Sequence, residues 1–141
     1  LVQRYADKIH WVEETVSLEA DGIEIIPSFE TKDSNESSLC VLFQQENCDI
    51  LITGDRSKEG ERYLIENTDL PDLEILVAGH HGSKSSTSWE LLEATRPEIV
   101  IISVGEDNSY GHPSWETLER LRIFDCDIYR TDTMGTIIFR G

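Results

Sequence analysis

The sequence predicts a mixed α/β domain of the α+β kind, and three observations lead to that class. The amino-terminal third alternates apolar and polar residues and contains Asp21-Gly22, a dipeptide suited to a tight hairpin turn. From Gly54 onward, the apolar runs EILVA and EIVIISV, rich in branched residues, alternate with amphipathic stretches of helical spacing. The length, 141 residues, is enough for one domain and one core but not for two independent ones.

Each element can be justified in chain order. Residues from Val12 to Ile26 read as two antiparallel strands around Ala20-Asp21-Gly22, and His10, between Ile9 and Trp11, reads as structural. Residues 27–38, PSFETKDSNESS, form the one extended loop, the segment best suited to a binding role. LCVLF and DILIT follow as strands, and a helix is predicted after Asp55 through KEGERYLIEN. EILVA and EIVIISV should be strands buried on both faces. A helix is predicted from about Ser88, with Trp89, Leu91 and Leu92 on one face. Another is predicted from Ser114, with Trp115, Leu118, Leu121 and Arg122, and the two tryptophans are expected to help cover the sheet. Pro97 and Pro113 stand where helices stop or start. DIYRTD and TIIFRG are predicted to close as a hairpin across Thr133-Met134-Gly135.

Composition narrows function. Acidic residues outnumber basic ones 28 to 12, and the formal charge of −16 repels phosphate backbones unless bound cations reverse the local field. Generic clamping of nucleic acid is therefore disfavoured. Cys40, Cys48 and Cys126 form no C-x-x-C pair and sit in or beside apolar stretches, the pattern of small packed side chains rather than of a thiolate metal site or disulfide framework. The chain contains no apolar run of membrane-spanning length and no signal-peptide pattern, so this segment is expected to be soluble. Its abrupt start without methionine leads to the expectation that it is a piece of a longer protein.

Candidate chemistry gathers at three consecutive strand ends. DILIT runs into Thr53-Gly54-Asp55, EILVA into Gly79-His80-His81, and EIVIISV into Gly105 and then Asn108, Tyr110 and His112. In α/β sheets, ligands sit at the carboxyl edge of the strands. Asp55 alone reads equally well as a helix cap. Adjacent histidines at a strand terminus splay apart, so one can hold a metal while its neighbour faces a ligand. His112 reads almost as readily as an ordinary loop histidine. Imidazole and carboxylate together suit zinc or manganese, but a closed zinc site takes about four donors and an open catalytic one about three.

Taken together, LCVLF with DILITGD, EILVAGHHGSKSS, EIVIISVG with EDNSYGHP, and DIYRTDTMGTIIF resemble the metallo-β-lactamase-fold domain at the carboxyl end of the bacterial ComEC-family DNA-uptake (competence) proteins. The resemblance runs from about Gly22 to Phe139. It implies an αββα sandwich with a binuclear metal site between two sheets. By that resemblance Asp55 matches a bridging carboxylate, His81 a histidine ligand and His80 a group beside the substrate. Asn108, Tyr110 and His112 match a substrate-contacting stretch, and Asn35 and Ser38 fall where many members carry a further histidine. The leading H-x-H-x-D-H motif of the superfamily is absent from this chain. The single domain over residues 1–141 is therefore expected to be the carboxyl-terminal half of the sandwich, without the half that carries that motif.

The implied function of the parent is a metal-dependent hydrolase, a phosphodiesterase or DNA nuclease in DNA uptake. Its implied seat is the cytoplasmic membrane, with this domain on the outer face and the remainder of a membrane-embedded protein as partner. About two dications are expected in the parent, and at most one, weakly held, in this chain, whose own activity is expected to be weak or nil. The alternatives are a non-catalytic interaction or structural module, and a hydrolase of a small phosphodiester. An uncovered sheet face leads to the further expectation of a homo-oligomer.

Overall fold

The computed structural model describes residues 12–18, 22–29, 31–46 and 48–140. His10 and the Ala20-Asp21 part of the first turn lie outside them. A single seven-stranded sheet runs in chain order: β1 (Val16–Leu18), β2 (Ile23–Ile26), β3 (Cys40–Gln45), β4 (Cys48–Ile52), β5 (Ile75–Val77), β6 (Ile99–Ile102) and β7 (Asp127–Arg130). The first four strands pair antiparallel, and the pairs from β4 to β7 are parallel. The mixed α/β class therefore holds. The parallel crossovers carry helices α1 (Lys58–Asn67), α2 (Trp89–Thr95) and α3 (Trp115–Phe124), and a short helical turn α4 (Thr131–Met134) follows β7.

Sequential strand order with right-handed crossovers stacks the three long helices on the same face of the sheet. The core forms there: Leu42, Leu51, Leu76, Val100 and Ile102 of the strands meet Leu64 of α1, Leu91 and Leu92 of α2, and Leu121 of α3. Serines cap all three helices. Ser57 accepts from Glu59 N, Ser88 from Leu91 N and Ser114 from Thr117 N. Asp55, a candidate cap by sequence, is thus left free of that duty.

The opposite face of the sheet is apolar as well. The register aligns Val16, Ile25, Val41, Ile52, Val77, Ile101 and Tyr129 in one row across all seven strands. In this row Val16 is 39% and Ile52 42% exposed, and the others are half-buried, Tyr129 with the ring of Phe139 edge-on against it at 5.4 Å. Burial of β5 and β6 on both faces, expected from their composition, is realised on the helix side but only partly on this one, where none of the helices packs. No described helix is long and apolar enough to cross a membrane.

Two further expectations are corrected. The terminal hairpin does not form. After β7 the chain turns into α4, ended by Gly135 at φ +69, because Thr131 is drawn in by its hydroxyl, which donates to Val104 O and accepts from Val104 N. The tryptophans do not cover the sheet either. Trp115 is 71% and Trp89 40% exposed, and α3 buries Thr117, Arg120 and Leu121 instead. Of the cysteines, Cys40 is buried and Cys48 and Cys126 are half-buried, all as free thiols. Burial pushes the Cys40 thiol up to about 12, which makes it an unreactive packing group.

A buried polar network lies beneath the carboxyl edge of β4 and β5. Glu61 of α1 is fully buried, and its two carboxylate oxygens accept the backbone N–H groups of Thr87 and Ser88. Burial pushes the Glu61 carboxyl up, while the bonds from Ser88 and Thr87 and the charge of Arg120 pull it back. Arg120 donates to Ser86 O and Thr87 O, Thr117 donates to Ser83 O, and Ser86 donates to Arg56 O. Arg56, itself fully buried, donates to Ser38 O and Ile26 O. Segment 83–88 is therefore gripped from α1, α3 and the strand β4 exit together.

Two outcomes follow from this architecture. In Glu61→Gln, an amide N–H₂ faces a backbone N–H where an acceptor is required, so stability falls by about 1–3 kcal/mol. Glu66→Gln, at an exposed position of the same helix, stays within about 0.5 kcal/mol of the parent. Urea denaturation midpoints measure both. The apolar second face predicts that the isolated chain binds a hydrophobic dye or self-associates at micromolar concentration. Light scattering that gives a dye-silent monomer would contradict it.

Candidate functional site

Three loops at the carboxyl edge of the parallel strands bring the predicted residues together. Past β4, Gly54 turns at φ +65, and a Cβ there would stand 2.8 Å from Ser38 Cβ, so only glycine lets the 27–38 loop approach this closely. Ser38 Oγ accepts from Asp55 N at 3.1 Å. This places position 38 beside Asp55, while Asn35 closes a turn within its own loop by donating its N–H to Asp33 Oδ1.

Past β5, His80 and His81 both adopt left-handed backbone, with φ of 48° and 56°. Such conformations are sparsely populated by non-glycine residues and persist only where the surroundings enforce them. Here the enforcement is visible. His80 N donates to Gly54 O, Ser83 N donates to His80 O, Gly79 N donates to Thr87 Oγ1, and the buried network fixes the residues that follow. The two imidazoles meet edge to face, with ring centroids 6.3 Å apart and planes at 72°, in a helical turn past β5 rather than on the strand whose alternation led to the expectation of splaying.

His81 is the best-defined member of the site. Its Nδ1 lies 2.7 Å from Ser103 O, just beyond the end of β6. A carbonyl oxygen only accepts, so Nδ1 carries a proton, and in the neutral tautomer the lone pair is on Nε2. That Nε2 stands 3.9 Å from Asp55 Oδ1, with both side chains about half exposed. Anchoring one ring nitrogen to a carbonyl while the other faces open space is the arrangement that orients metal-binding histidines. The donor set is short, however: among the described residues no group of three or more His, Cys, Asp or Glu side chains could hold a metal ion.

Past β6, a small cleft of about 210 Å³ is lined by His81, Val104, Gly105, Asn108, Tyr110 and His112. Asn108 acts inside this loop. Its amide donates to Gly105 O and His112 O, and its Oδ1 accepts from His112 N. Its side chain is therefore committed to shaping the loop. His112 lies against His80 with ring centroids 5.6 Å apart, and the 84% exposed Tyr110 stacks on it at 6.2 Å and 14°. The Nδ1 of His112 is buried without a hydrogen-bond partner among the described residues. Burial lowers the His112 pKa, the His80 and His81 charges lower it further, and Asp55 opposes them. All six predicted residues, Asp55, His80, His81, Asn108, Tyr110 and His112, thus belong to adjoining loops at one edge of the sheet.

Sequence reasoning missed Glu61, Arg56, Thr117 and Arg120, which support this edge from below. Charged residues within KEGER and LERLR pass for solvated helix faces. The available signal was helical spacing: Glu61 falls three residues before the core Leu64, and Arg120 next to the core Leu121.

No family model matches the chain. It is similar to ComE operon protein 3 of Bacillus subtilis (strain 168), with 37% identity over 106 residues. The aligned region covers 75% of this chain and 14% of that protein, so the chain corresponds to a small part of the relative's length.

Proposed function

We propose that this chain is the carboxyl-terminal part of a metal-dependent phosphodiester hydrolase that acts on DNA during bacterial uptake, with Asp55 and His81 as metal donors. One observation carries the reading: His81, anchored through Nδ1 to Ser103 O, presents Nε2 to the Asp55 carboxylate at 3.9 Å. The similarity to a protein of the ComE operon supports the link to uptake, as does the resemblance of the GHHGS and YGHP segments.

An imidazole nitrogen and a carboxylate oxygen, both reachable from solvent, fit a zinc or manganese ion as two donors of a larger set. When bound, such a cation acidifies water and offsets the negative charge of a phosphoryl group. The chain's own residues have separate tasks. Asp55 and His81 hold the cation. His80, half-buried between His81 and His112, faces the substrate side as a hydrogen-bond donor. His112, kept toward its neutral form by burial, and the exposed Tyr110 form the wall of the cleft, in a loop that Asn108 holds in shape. The charge of −16 leaves the guidance of DNA to the bound cation and to other parts of the parent, which would sit in the cytoplasmic membrane with this domain outside.

The short donor set favours one specific rival, a half-domain that has lost chemistry and serves as an interaction module. Isothermal titration with zinc at neutral pH separates the two. The hydrolase reading expects at most one weak site, abolished in His81→Ala and in Asp55→Asn but retained in His80→Ala. In a chain extended to the whole domain, His80→Ala should keep its metal while turnover falls by about 10²- to 10³-fold. Absence of zinc binding in the extended domain, or binding indifferent to His81→Ala, would establish the module instead.

A further inference from the structure

We propose that the groove between the amino-terminal end of α2 and the length of α3 is a docking surface for a cationic amphipathic peptide segment of a partner protein. The groove encloses about 380 Å³, and its walls combine Trp89, Trp115 and Ile123 with Glu90, Glu116 and Glu119. The apolar members are strongly exposed, at 40% for Trp89, 71% for Trp115 and 64% for Ile123. Large aromatic side chains flanking a groove are the usual anchors of protein recognition, because they bury much area at little conformational cost. Neither tryptophan is needed to cover the sheet, whose helix-side core is filled by leucines, isoleucine and valine.

Charge selects the occupant. Among the described residues, Glu116 and Glu119 have no ion-pair partner, and Glu90 meets only Arg62, at 3.8 Å on an exposed surface where such pairs are weak. The two cations of the lining do not balance them. Arg120 is 9% exposed and donates inward to Ser86 O and Thr87 O, which leaves Lys58 alone against three carboxylates. Trp115, Glu119 and Ile123 recur at four-residue spacing on α3, so apolar and acidic contacts alternate along one ridge. A helix or extended segment that pairs an apolar anchor with lysine or arginine complements this pattern. An anionic lipid surface or a nucleic acid does not, since the same carboxylates repel it. The groove also adjoins the histidine loops: Trp115 follows His112 by three residues, and Arg120 ties α3 to the Ser86-Thr87 backbone.

The probe is a fluorescein-labelled, helix-forming peptide with leucines along one face and lysines along the other, titrated with this chain by fluorescence anisotropy. A Kd on the order of 10–100 μM is expected, weakening as salt is raised. Trp115→Ala and Ile123→Ser, both at exposed positions, should keep the circular dichroism of the parent and raise Kd by about tenfold. Because a chain of −16 attracts any polycation, a charge-matched control is included. Glu116→Gln/Glu119→Gln should weaken binding several-fold more than Glu66→Gln/Asp69→Asn, which removes the same charge at the far end of α1. Equal effects of the two double variants, or binding unchanged by Trp115→Ala, would overturn the proposal. So would Trp115-dependent binding to phosphatidylglycerol or phosphatidylcholine vesicles in place of the peptide.

Discussion

The carboxylate of Glu61, enclosed between α1 and the entry to α2, is the constraint on which the rest of the site depends. A buried carboxylate is costly unless its lone pairs are filled, and here the Thr87 and Ser88 N–H groups fill them. Those N–H groups belong to the loop that leaves β5 through two left-handed histidines, an unfavourable conformation for such residues. Arg120 and Thr117 hold the same loop by its carbonyls. The loop is thus gripped on both its donors and its acceptors, which allows the backbone of His80 and His81 to remain strained.

From that grip the site geometry follows in steps. Parallel pairing of β4, β5 and β6 brings their exits side by side, so residues far apart in the chain meet at one edge. Gly54 permits the 27–38 loop to close on the β4 exit, and Ser38 then fixes the Asp55 backbone. Ser103, at the β6 exit, orients the His81 ring toward Asp55. The same architecture leaves a seven-residue apolar row on the opposite face of the sheet. An apolar sheet face is one that a further layer can cover.

Much of this was legible in the residues. Branched apolar runs marked β5 and β6, serine before an amphipathic stretch marked the starts of α2 and α3, and glycine or polar residues after each run marked the edge where the candidate residues meet. Three features were not legible, each for a physical reason. Thr131 reads as a strand continuation, but its hydroxyl finds both partners on Val104, a contact created by the β6–β7 pairing and invisible locally. Trp115 looks like a core residue by hydrophobicity, yet Thr117 and Arg120 occupy the inward face of α3 because the loop carbonyls there require donors. Asn108 matches a substrate-contacting stretch by resemblance, and its amide is satisfied within its own loop. For Thr131 and for α3, a polar partner supplied by tertiary structure outweighed the local pattern.

Amide hydrogen exchange, resolved by segment in the parent chain and in Glu61→Gln, tests most directly whether the buried carboxylate holds the histidine loop. If it does, exchange across residues 79–88 accelerates on the order of tenfold or more in the variant, while β4, β5 and β6 keep their protection. Unchanged exchange in residues 79–88, or a uniform loss of protection over the whole sheet, would contradict it.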